Sequence, residues 1–186
     1  MGHRSAREPA MSTTPHVRID TALGAFTVEL YADRAPLTVA NFLAYVDSGR
    51  YAGSSIFRIV NPHNQQPEDP VRISVIHGGT RPLAAGNLPM IALESTAQTG
   101  LRHRHGTLSM GRDGRDDAEG DFFVCIGDQP HFDHGGARHP DGEGFAAFGQ
   151  VVDGLAVVEA IFAAAGPSEY LAPDAEIHIH AAQRIE

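Results

Sequence analysis

Strand-like alternation at both ends of the chain limits its possible folds more than any other feature. Near the start, Phe26, Val28 and Leu30 alternate with Ala25, Thr27 and Glu29, the period-two pattern of a half-buried strand. Residues 17–21 read as another strand, joined to the first by the turn Ala22-Leu23-Gly24, so a hairpin is expected. At the other end, residues 176–185 open with Ile177 and Ile179 set against His178 and His180. First and last strands that pair would close a sheet into a barrel and leave no exposed edge.

The middle of the chain fits that plan. Pro36 can occupy the first turn of a helix capped by Asp33, with Val39, Phe42, Leu43 and Val46 on one face and Gly49 at its end. Asn41 reads as a hydrogen-bonding residue at the core edge. Residues 155–165 form a second helix with Leu155, Val158, Ile161 and Phe162 on one face, stopped by Gly166-Pro167. Strands are expected over residues 55–60, 72–77, 107–110, 122–126 and 145–152, with Gly78-Gly79 as a turn. The two strands within residues 101–130 flank a glycine- and acid-rich loop, residues 111–120, a shape that can wall a groove. Residues 61–69 read as an exposed insertion. In the strand over residues 55–60, alternation puts Ile56, Arg58 and Val60 on one face. Such an arginine either snorkels to the surface or is held over an apolar groove.

Twenty glycines and twelve prolines favour short strands and turns over long helices. A formal charge of −9 disfavours nucleic acid and anionic membranes as partners. All 14 basic residues are arginine, which removes lysine Schiff-base and P-loop chemistry. Cys125, the only cysteine, lies in an apolar run and reads as a core residue. No apolar run approaches the ~20 residues of a membrane span, and the polar N-terminus has no secretory core. One domain over residues 16–186 is expected, behind a flexible tail over residues 1–15, acting as a monomer in the cytoplasm.

Eleven histidines invite a metal, and the pairs His103/His105 and His178/His180 are spaced to share strand faces. Yet there is no HExxH motif and no cysteine partner. The acids Asp113, Asp116, Asp117, Glu119 and Asp121 do not follow calcium-loop spacing. Ser109 precedes Met110-Gly111 and lacks a nucleophile elbow. Chemistry, if any, is left to an arginine, apolar pockets and backbone groups; no metal and no cofactor are expected.

At this point several segments, in order, resemble the cyclophilin-type peptidyl-prolyl isomerases, in a divergent bacterial-looking branch. They are the N-terminal hairpin, the helix segment ADRAPLTVANFLAYVDSGRYAGS, the pair Phe57-Arg58, VIHGG, GTLSM, DFFVCIGDQP and FAAFGQVVDGLAVVEAI. The resemblance implies a mainly β fold, a closed eight-stranded antiparallel barrel with two capping helices. It also implies cis–trans isomerisation of X–Pro bonds in peptides and unfolded proteins. That reaction crosses a barrier of about 18–20 kcal/mol and needs no nucleophile, metal or cofactor. A donor aimed at the prolyl nitrogen favours the twisted, localised amide.

By the same resemblance Arg58 takes the catalytic donor position, which makes the surface reading the lesser one. His77 stands beside it in place of the usual glutamine, with shorter reach and a pH-dependent charge. Phe123 floors the proline pocket, with Val75, Phe132 and Phe145 as apolar walls; many relatives carry a histidine at the last position. Gly111 and Arg112 form the edge that pairs with the substrate backbone. Asp121 replaces a glutamine or glutamate and is expected to be able to pair with Arg58, orienting it or tying it up. His131 replaces a tryptophan that binds cyclosporin in some members, so sensitivity to that drug is not implied. A proline-binding or chaperone-like module with little turnover is the alternative reading.

Overall fold

The computed structural model describes residues 13–186. Eight strands form a closed barrel: β1 (His16–Thr21), β2 (Gly24–Leu30), β3 (Ser55–Val60), β4 (Val75–Gly79), β5 (Thr107–Met110), β6 (Asp121–Cys125), β7 (Ala147–Asp153) and β8 (Ile177–Ile185). Their order around the barrel is β1-β2-β7-β5-β6-β4-β3-β8, antiparallel throughout. The first and last strands do pair, from His16 opposite Ile185 to Thr21 opposite Ile179. The tail expected over residues 1–15 lies outside the described residues except at its end, where Pro15 O accepts a hydrogen bond from Leu30 N at 2.9 Å.

Three α-helices accompany the barrel, one more than expected: α1 (Pro36–Asp47), the single turn α2 (Thr96–Thr99) and α3 (Leu155–Phe162), with a 3-10 turn at Pro130–Phe132. Pro36 takes the first position of α1, but Asp33 does not cap it; Ala35 is the capping residue and contributes no side chain. One of the unmet N–H groups, that of Thr38, is served from afar. Glu94 Oε1 accepts from both Thr38 N and Thr38 Oγ1 at 2.7 Å, a carboxylate at the positive end of the helix dipole. Asn41 is buried and donates to Glu119 O at 2.6 Å.

The barrel interior takes alternate side chains where strands are regular, including Val17, Ile19, Phe26, Val28 and Leu30. Phe42 of α1 packs on Tyr51, Phe122 and Phe148 at 5.3–5.7 Å between ring centres. From α3, Val158 and Ile161 are fully buried in the same core. A second apolar cluster lies apart from this one: Val60, Ile73, Val75, Phe123, Cys125, Phe132 and Phe145.

Three local readings are corrected. Strand β4 runs Val75–Gly79, so Gly78 and Gly79 lie in the sheet, where a Cβ would come 2.5 Å from Ser55 O or Gly120 O; backbones pass too closely there for a side chain. Residues 61–69 are not simply exposed. Asn64 Nδ2 donates to Ile59 O at 2.9 Å, and Gln65 Oε1 accepts from Ile73 N at 2.7 Å, both side chains being buried. Finally, β3 carries a bulge: Ile56 is opposite Gly78 and Arg58 opposite His77, with Phe57 the extra residue. The bulge reverses the alternation. Ile56 and Ile59 enter the barrel core, while Val60 joins the second cluster, so Ile56 does not share the face of Arg58.

Candidate active site

The second cluster floors an open cleft of about 780 Å³. Register explains why. Arg58 on β3 is opposite His77 on β4, His77 opposite Phe123 on β6, and Phe123 opposite Ser109 on β5. Directly opposed residues project to the same side of a sheet. One step along lies the parallel row Val60, Val75 and Cys125. Phe132 and Phe145 close over Phe123 at 4.7 and 5.6 Å between ring centres, the latter edge-on. All nine residues singled out in the sequence line this cleft: Arg58, Val75, His77, Gly111, Arg112, Asp121, Phe123, Phe132 and Phe145.

The polar partners differ from expectation. Asp121 pairs with His77, not Arg58: Asp121 Oδ2 lies 2.8 Å from His77 Nε2. Gly79, opposite Asp121, has no side chain to intervene. Gly111 also makes room, since a Cβ there would meet Asp121 Oδ2 at 2.0 Å. The Gly111 N–H is spent on Asp121 O at 2.9 Å.

Arg58 instead donates through Nε and Nη2 to Glu169 Oε2, at 3.0 and 2.7 Å. Its guanidinium carbon lies 5.3 Å from the centre of the Tyr170 ring. Both partners come from the segment ahead of β8. That segment is zipped to β3 by Ile59 N donating to Glu169 O (2.8 Å) and Leu171 N to Phe57 O (2.9 Å). Nothing local in the sequence announces Glu169, which is 111 residues from Arg58 and follows a helix stop.

Arg112 has a structural task for its side chain, which is 1% exposed. Its Nη1 and Nη2 grip the two Asp141 oxygens at 2.9 Å, while Nε and Nη2 hold Gly144 O at 2.9 and 2.6 Å. The hydrogen bonds from Arg112 hold the Asp141 carboxyl well below the usual carboxylate range. The clamp fixes residues 134–143 beside Phe145, whose ring centre is 5.1 Å from the guanidinium carbon.

Beneath the floor is a hydrogen-bonded chain the sequence did not suggest. His103 Nδ1 lies 2.8 Å from Asp133 Oδ1, and His103 Nε2 lies 2.9 Å from Ser109 Oγ. Asp133 Oδ1 also accepts from His103 N at 2.9 Å. An ionised carboxylate can only accept, so Nδ1 carries the proton and Nε2 accepts from the serine. Burial pushes His103 below its ordinary value, against the opposing pull of Asp133. Burial raises Asp133, but hydrogen bonds from His103 outweigh it and the net direction is down. The order serine, histidine, aspartate is that of a hydrolase triad, yet Ser109 is fully buried and reaches no substrate carbonyl. The His103 ring instead lies nearly parallel to Phe123, 12° between planes and 6.1 Å between centres. His105 does not share this burial, so the two histidines are not a ligand pair. Among the described residues, no three His, Cys, Asp or Glu side chains gather as a metal site. The Cys125 thiol is buried, and burial pushes it well above the ordinary thiol value.

Barrel, apolar floor and rim arginine together define a class, and the comparisons agree. Residues 16–183 match the family model described as cyclophilin type peptidyl-prolyl cis-trans isomerase/CLD. The chain belongs to the cyclophilin-type peptidyl-prolyl cis-trans isomerases. It is 33% identical to a peptidyl-prolyl cis-trans isomerase of Streptomyces antibioticus, over 78% of this chain and 81% of that one. To peptidyl-prolyl cis-trans isomerase A of Dickeya dadantii it is 32% identical, over 82% and 73%. A crystal structure of a Cryptosporidium parvum cyclophilin type isomerase shares the fold, with a TM-score of 0.73, 20% identity, and 94% and 99% of the two chains covered. A second structure of that protein, in the presence of the dipeptide Ala-Pro, superposes with a TM-score of 0.71 at 20% identity, over 92% and 99%. No helix among the described residues is long and apolar enough to cross a membrane.

Proposed function

We propose that this chain catalyses cis–trans isomerisation of X–Pro bonds in peptides and unfolded chains, with Arg58 as the electrostatic donor. The observation that carries the reading is the row Arg58–His77–Phe123: a guanidinium at the rim of an apolar pocket, in register with its aromatic floor. Proline packs on Phe123 between Val75, Phe132 and Phe145. Glu169 occupies Nε and Nη2 of Arg58, which leaves Nη1 to reach the bound peptide. A guanidinium keeps its charge at every working pH and stabilises the amide as its resonance is lost in the twist. Gly111 has spent its N–H, so its carbonyl is the group offered to the substrate backbone. His77 supports from the side, fixed by Asp121.

The test is a protease-free isomerisation assay on an X–Pro tetrapeptide. Arg58→Ala is expected to lose about 100-fold or more in kcat/KM, the scale of one transition-state donor, in a chain that is still folded at the assay temperature although Glu169 has lost its partner. Wild-type turnover in that variant would remove Arg58 from the mechanism.

A second reading has an observation of its own. Glu169 neutralises Arg58, as suits a proline-binding module with slow turnover. Glu169→Ala separates the two. If Glu169 orients the donor, the variant loses roughly tenfold in kcat/KM; if it ties the donor up, the variant gains. Peptide binding without accelerated exchange of cis and trans NMR signals would favour the module.

A further inference from the structure

Arg138 lines the same cleft as Arg58 and Phe132. Its side chain is only 16% exposed, yet its guanidinium makes no hydrogen bond among the described residues. The carboxylate nearest to it is Asp69, with Oδ1 at 4.0 Å from Nη1. That acid is shared, its Oδ2 accepting from Gln65 Nε2 at 3.2 Å. Glu169, the other acid nearby, is committed to Arg58. The guanidinium is thus held by one long ion pair, and its five donors, served by solvent alone, stay open to a ligand.

The arginine is also held in place. Its backbone N–H donates to His131 O at 3.1 Å, and Gly135 N donates to Gly142 O at 2.8 Å, closing the loop at its base. The Arg112 clamp on Asp141 and Gly144 fixes the far side. Burial, then the charge of Arg58, pushes Arg138 below the usual arginine value. Asp69 and Glu169 offset the two in part, and a further negative group beside the guanidinium would offset them more.

We infer that Arg138, with Arg58 beside it, forms a carboxylate subsite that selects peptides carrying an acidic residue next to the proline. The inference rests on the isomerase reading for the placement of proline over Phe123. Arg138 lines one cleft with Phe123 and Phe132 and feels the charge of Arg58, so the subsite is assigned to a neighbour of the proline. The peptide strand pairs at Gly111 on one side; the acidic residue lies on the other, past Arg58.

Four acetylated, amidated peptides test it: Ala-Xaa-Pro-Ala and Ala-Ala-Pro-Xaa, each with Xaa as Glu or Gln. Blocking both termini leaves the side-chain carboxylate as the only difference. Dissociation constants come from NMR titration and exchange rates from the cis and trans signals. At one flank, Glu is expected to bind about fivefold more tightly than Gln, the scale of a partly exposed ion pair. The ratio should shrink with added salt, and fall towards one in Arg138→Gln. Equal affinity for Glu and Gln at both flanks of the wild type overturns the inference without any variant. So does a Glu preference that survives Arg138→Gln. Exchange of the Gln peptides reports the isomerase reading separately: its absence sinks that reading, while the affinity ratio still decides the subsite.

Discussion

His103 shows how one buried side chain can tie the floor of a cleft to the stability of the whole fold. Its ring bridges Asp133 and Ser109 and stacks under Phe123. The folded protein holds it below the ordinary value of 6.5, so the unfolded chain takes up its proton first as pH falls. Stability from this residue is therefore complete above about 6.5 and declines below it, down to the depressed folded value. Urea unfolding between pH 7.5 and 5.5 should show stability falling with pH, and a shallower fall in His103→Gln. An equal slope in the two proteins would rule the residue out as the cause. Asp133, also lowered, adds a further loss only as pH drops below 3.8. None of this was legible in the sequence. Ser109, His103 and Asp133 carry no motif, and what unites them is a strand pairing and a turn. Arg58 was legible only through family likeness, because an arginine within an apolar strand fits the surface equally well.

At the scale of elements, periodicity read strands and helices well where one face alone is apolar. It failed in β3, where Ile56, Phe57, Ile59 and Val60 are apolar on both faces, so no pattern could mark Phe57 as the extra residue. It also failed in β4, where Gly78 and Gly79 look like a turn but serve the close approach of neighbouring strands. The α1 cap was misread for a different reason: its acceptor, Glu94, is 56 residues from Thr38. Removing that carboxylate is an element-scale perturbation. Glu94→Ala should cost about 1 kcal/mol, the usual value of a helix cap, in chemical denaturation with an unchanged m-value. A cost near zero would mean that water serves the end of α1 as well as Glu94 does.

For the molecule as a whole, closure depends on one strand. β8 pairs with β1 along its length and with β3 through Ile56 and Ser55. The segment ahead of it supplies Glu169 and Tyr170 to Arg58. Deleting residues 177–186 exposes the edges of β1 and β3 together, and an unpaired edge invites association. The shortened chain is expected to lose its cooperative thermal transition and to aggregate; a sharp transition near that of the full chain would show that seven strands suffice. Strands at both ends were the clearest signal in the sequence, whereas the contribution of the β8 approach to the cleft was invisible, being irregular chain with no period.

That late strand also sets an order in time. A ribosome delivers β8 after the other seven strands of the barrel, so the barrel stays open until β8 emerges, and Arg58 lacks its carboxylate partner until Glu169 has been made. An isomerase built this way cannot hasten its own first folding. The X–Pro bonds of each new copy must settle in tens to hundreds of seconds or be turned by a molecule completed earlier. Refolding should then quicken as native protein is added, the kinetic signature of autocatalysis.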